Sequence, residues 1–204
     1  MGSQEEPFSG LVDLWSLLCA TSTGLLVTTS VLEWSAMRSA HFTGAWLTLS
    51  LSTAIAVTTE VRFFLGHRNY LRGIGRHHRA ELPQWRRAQC EFLLICLLKL
   101  FQFAMALTIA SPVAFLNAFV GLMFCDLIWI PFEPRVRSLE NVKTFKPCRW
   151  MWINLATALL ILIGSRFTST HGVELCAIGI IGQLIIAATN CLADLCSCIG
   201  PVDR

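Results

Sequence analysis

Six stretches of about 20 residues run almost without charge, at Gly10–Leu32, Thr43–Leu65, Cys90–Ala110, Pro112–Phe132, Arg149–Phe167 and Gly172–Leu195. That is the length of apolar helix needed to cross a bilayer. A helix of a soluble core keeps one polar face, yet Phe92–Leu98 and Leu155–Ile163 are apolar all round. Charged residues make up 14% of the chain, where a soluble domain carries about 25%. The pattern predicts an all-α integral membrane protein, in which six transmembrane helices form three helical hairpins and residues 1–204 make one transmembrane domain. The high hydrophobic content excludes a disordered chain. Sixteen Lys and Arg against thirteen Asp and Glu leave only +3, which argues against a nucleic-acid partner.

Basic residues in short loops favour the cytoplasmic side. The loop at 66–89 holds Arg68, Arg72, Arg76, Arg79, Arg86 and Arg87, with Arg62 just before it. The loop at 133–148 holds Arg135, Arg137, Lys143 and Lys146, with Arg149 next to it. The opposite side has only Arg38 and Arg166. This asymmetry places both termini in the cytoplasm. The acidic Glu5 and Glu6 near the start give no positive n-region, so no cleaved signal peptide is expected.

Ionisable groups inside a bilayer are costly and mark functional positions. Lys99 lies near the middle of the third span with Gln102 one turn on, and Asp126 on the next helix lies about one turn nearer the cytoplasm. The spacing predicts a Lys99–Asp126 ion pair, with Asn117 or Gln183 completing its hydrogen bonds. Glu60, Asp126 and Asp194 fall at similar depths in the second helix of each hairpin, where they reach headgroups or pair with residues such as Arg62. Asn154, Gln183 and Asn190 need partners and should face other helices. In the last span Gly179 and Gly182 suit close helix packing or an oligomer contact. Ser16, Thr23 and Ser30 recur every seven residues in the first span, as do Thr21 and Thr28. That seam suits either a hydrated path or hydrogen bonding within the bundle.

On a helical wheel, Leu71, Ile74, His78, Leu82 and Trp85 share one sector, beside the one holding Arg68, Arg72, Arg76, Arg79 and Arg86. Such a helix would lie in the interface with its arginines, and the neighbouring Arg87, among anionic lipid headgroups. Gly73, Gly75 and Pro83 predict that it is broken, and a plain topology-setting loop is the simpler alternative. Cys191, Cys196 and Cys198 cluster near the end of the last span, where acylation or plain burial would each account for them.

His67, His77, His78 and Cys90 match no zinc spacing, and no histidine lies deep enough for haem, so neither a metal nor a cofactor is expected. His41 and His171, near Glu33, Arg38, Arg166 and Glu174, suggest a small polar vestibule on the far side. With no phosphate loop, HExxH or nucleophile elbow, an enzyme is not expected. Two functions stay open: a small oligomeric transporter or channel, and a non-transport scaffold, assembly factor or bilayer-acting effector. The second would bind anionic lipid or a membrane partner through its basic loops.

Overall fold

A computed structural model of the chain describes residues 9–37, 43–77, 84–129, 147–170 and 173–199, and within them the side chains of 13–37, 44–64, 92–129, 151–166 and 177–193. The described residues form six α-helices and no strand: α1 (Ser9–Met37), α2 (Thr43–His77), α3 (Gln84–Leu107), α4 (Pro112–Trp129), α5 (Pro147–Thr170) and α6 (Val173–Ile199). The described part of each apolar stretch falls mainly on its own helix, that of Cys90–Ala110 ending in a turn after Leu107. Two described segments, Asp13–Met37 and Pro112–Trp129, are long and apolar enough to cross a membrane, while Phe92–Leu107, Met151–Arg166 and Ala177–Ala193 are shorter apolar helices.

The helix ends follow local chemistry. Ser111 precedes Pro112, whose fixed φ and missing N–H suit the first helical position. The first bond of α4 runs from Phe115 N to Ser111 O at 2.8 Å, while Ser111 N closes the preceding turn on Thr108 O at 2.8 Å. Pro147 opens α5 in the same way. Helix α2 is longer than its apolar stretch, because residues 66–77 continue it without a break and residues 84–89 already belong to α3. The segment read as a basic loop or a broken interfacial helix thus continues α2 through Gly73 and Gly75 as far as His77, and residues 78–83 lie outside the described residues. Gly66, Gly73 and Gly75 cost this extension only about 1 kcal/mol each. Arg68, Arg72 and Arg76 recur every four residues on that extension, and Arg86 and Arg87 lie in the first turn of α3. The side chains of these five, all of Arg79, and the basic loop at 133–146 lie outside the described residues.

The helices pack as two rows of three. α2 touches α1 and α6, α4 touches α3 and α5, and the rows meet through α1–α3, α2–α3, α2–α4, α4–α6 and α5–α6. The two middle helices are thus α2 and α4. The core at their junction is built from large side chains such as Trp15, Ile55, Ile95, Leu98, Phe115 and Phe119. At one end of the first hairpin the rings of Trp34 and Trp46 meet at 4.8 Å between centroids. Gly121 gives α3 and α4 their close approach, since a Cβ there would lie 2.3 Å from the Phe101 ring. Gly121→Ala is expected to destabilise the protein by about 1–3 kcal/mol through overpacking. Combining it with Phe101→Leu should recover much of that loss in thermal unfolding.

Candidate functional site

The centre of the bundle holds charge. Lys99 is 1% exposed and Asp126 1%, and Glu60 is also buried, which ordinary folding avoids because an unpaired charge out of water is very costly. Each is paired, but not as the helix depths suggested. Lys99 Nζ donates to Glu60 Oε2 at 2.5 Å and to Gln102 Oε1 at 2.6 Å. Arg62 meets Asp126 Oδ2 at 2.7 Å. The expected Lys99–Asp126 pair gives way to two pairs, both anchored on α2. The reason is angular: Glu60 and Arg62 are two residues apart, about 200° around a helix, so one faces α3 and the other α4.

Around Lys99, Ser22 Oγ donates to the second oxygen of Glu60, Oε1, at 2.5 Å. The ring of Trp15 lies 5.2 Å from Nζ, within cation–π range, and the Cys19 thiol borders the ammonium. Helices α1, α2 and α3 thus converge on one lysine–carboxylate pair. Around Asp126, Asn154 Nδ2 donates to the same Oδ2 that Arg62 holds, at 2.7 Å. Asn190 Nδ2 then donates to Asn154 Oδ1 at 3.2 Å and to Thr157 Oγ1 at 2.8 Å. The Arg62 guanidinium also packs 4.6 Å from the Phe63 ring centroid.

Several expected members are elsewhere. Asn117 faces outward from α4 and takes no part. Gln183 is buried but accepts from Ser165 Oγ at 3.2 Å, in space left by Gly164, where a Cβ would stand 2.7 Å from its amide nitrogen. Asn154 and Asn190 face neighbouring helices. The hydroxyl seam is split: Ser16, Thr21, Thr23 and Thr28 are exposed, with Thr21 donating to its own helix at Leu17 O, 2.8 Å away, whereas Ser30 is buried. Ser22, which belongs to neither seven-residue series, is the hydroxyl that reaches the charge. Cys191 is buried, with its sulfur 3.4 Å from Thr59 Oγ1. The side chains of Asp194, Cys196, Cys198 and Glu174 lie outside the described residues, as do Arg38, His41 and His171 of the suggested vestibule.

Among the described residues no three His, Cys, Asp or Glu cluster as a metal site. The arrangement does bring a hydroxyl, a carboxylate and an ammonium together, a combination not anticipated from the sequence. Comparison with protein-family models, curated proteins and solved structures finds no match to this chain.

The pairing has a direct energetic consequence. Removing one partner strands a buried charge and costs about 3–5 kcal/mol, whereas replacing both with groups of similar shape is close to neutral. Lys99→Met is therefore expected to lower the unfolding temperature sharply, and Glu60→Gln/Lys99→Met to restore most of it. Equal losses in the single and double variants would contradict the pairing.

Proposed function

We propose that this chain is a multi-pass integral membrane protein whose buried charge network serves the movement of a small solute or ion. The observation that carries this reading is an inverted distribution of polarity. Among the described residues twelve polar or charged ones are buried, including Lys99, Glu60, Asp126, Asn154, Gln183 and Asn190. Large apolar side chains face outward on every helix, including Leu17, Leu47, Leu100, Ile128, Trp152 and Ile178. In water that surface would be a serious aggregation liability. Against acyl chains it is the expected exterior, with polar groups satisfied inside. The arginines at 68–87 and 135–149 then favour a cytoplasmic position for both termini and contact with anionic lipid.

A second reading is favoured by the closure of the network, since each acid already meets a base. A closed network also suits a scaffold or assembly factor that uses its basic segments as the working surface. The two readings differ in flux. In proteoliposomes a transporter is expected to move ions or small solutes and to lose at least tenfold of that rate on Lys99→Leu or Asp126→Asn. A flux-silent protein that binds anionic vesicles through Arg72, Arg76 and Arg79 would support the scaffold. The topology has its own check: tags at both termini should be accessible only from the cytoplasmic side, and release of the protein by alkaline carbonate would overturn the membrane-spanning reading.

A further inference from the structure

The bond from Ser22 on α1 to Glu60 on α2 fixes the level at which these two helices meet. They run antiparallel, since Trp34 and Trp46 meet at the end next to the segment 38–42 that joins them. Four residues along each helix toward that end, about 6 Å, Leu26 comes level with Ala56, and both line one cavity with Thr59, Glu60, Gln102 and Met105. Four residues further, Ser30 comes level with Ser52. Residues four apart share a helix face, and all six of these positions are buried.

The polar atoms along this stripe lack protein partners. Ser30 Oγ, Ser52 Oγ and Thr53 Oγ1 are buried without a hydrogen bond, although Thr29, Thr48, Ser50 and Thr59 of the same two helices donate to backbone carbonyls of their own helix. Thr53 precedes Glu60 by seven residues, close to two turns, and so lies on the same face. Gln102 Nε2 is a fourth bare atom. A lysine ammonium only donates, so the oxygen of this amide faces Lys99 and its nitrogen faces away. A buried donor left bare keeps its full desolvation penalty unless another molecule meets it. The space in the cavity open to the centre of a water molecule is about 10 Å³, the size that seats a single water. A water there accepts from Gln102. It donates to the Glu60 carboxylate and to Thr59 Oγ1, whose own proton is already on Ile55 O.

We propose that this stripe between α1, α2 and α3 is a water-binding seam, leading from Ser30, Ser52 and Thr53 to one innermost water held by Gln102 against the Lys99–Glu60 pair. The chemistry selects water. An amide donor and a carboxylate acceptor on the walls of so small a space need one molecule that both accepts and donates, while the Gln102 N–H repels a bare cation and Glu60 a bare anion. The hydroxyls further along serve as donor or acceptor in turn. The seam approaches the ion pair from the end of the bundle opposite the arginine-rich ends of α2 and α3. The inference rests on the polar core of the proposed membrane protein and not on solute movement.

X-ray radiolysis of the full chain in phosphatidylcholine vesicles, prepared in water enriched in the heavy oxygen isotope, reads the seam. Hydroxyl radicals formed from a held water oxidise the side chain beside it before they diffuse away. Met105 borders the cavity and is expected to gain labelled oxygen, while Met123, equally buried on α4 but outside the cavity, is not. Ser30→Ala/Ser52→Ala should cut the labelling of Met105 several-fold, and Ala56→Val, which narrows the cavity, should abolish it, both with the cooperative thermal transition kept. Met105 labelled no faster than Met123 overturns the proposal. Labelling of Met105 that is unchanged in the double serine variant overturns the seam as its route. A labelled Met105 in vesicles that move no solute supports the seam while removing the transport reading, and an unlabelled Met105 in vesicles that do move solute overturns the seam alone.

Discussion

Four charges in the middle of a small helical bundle have to cancel in pairs, and the packing of this chain follows from how they do so. Desolvating each ion costs several kcal/mol, which only a well-placed partner and further hydrogen bonds repay. α2 brings one acid and one base, Glu60 and Arg62, while the complements come from Lys99 on α3 and Asp126 on α4. The remaining lone pairs and donors are met by Ser22, Gln102 and Asn154. With Asn190 and Thr157 closing the second set, all six helices contribute a polar side chain to one of two networks that meet on α2.

The number and position of the helices could be read from the sequence because charge-free runs of that length have few alternatives. Helix ends were less legible where apolarity and helicity part company: α2 runs on to His77 through an arginine-rich segment that is polar yet still helix-forming. Pairing was the least legible. Comparing depths along Lys99 and Asp126 uses only two helices joined by a tight turn, whereas the true partner of Lys99 is on α2, across a long basic connection whose geometry no spacing rule encodes. A usable signal was nonetheless present: an acid and a base two residues apart on one helix point to opposite sides, and so call for two different partners.

The hydroxyl-rich first hairpin shows the same limit from another direction. Seven-residue recurrence picks out faces, and most of the residues it chose, Ser16, Thr21, Thr23 and Thr28, turn outward while Ser30 is buried. A single contact at Ser22 matters more than the series, because one carboxylate oxygen needed one donor. Periodicity describes what a helix presents on average; a charged site selects individual side chains.

The two residues of α2 also constrain how this bundle can move. Glu60 and Arg62 act like two teeth cut on opposite sides of one shaft, each engaged with a different neighbour. Turning α2 about its axis, or sliding it by one residue, disengages both at once. Small independent adjustments of that helix are thereby suppressed. A rearrangement that moves α2 alone passes through a state in which both charge pairs are open together, whereas α3 or α4 can part from it at the cost of one.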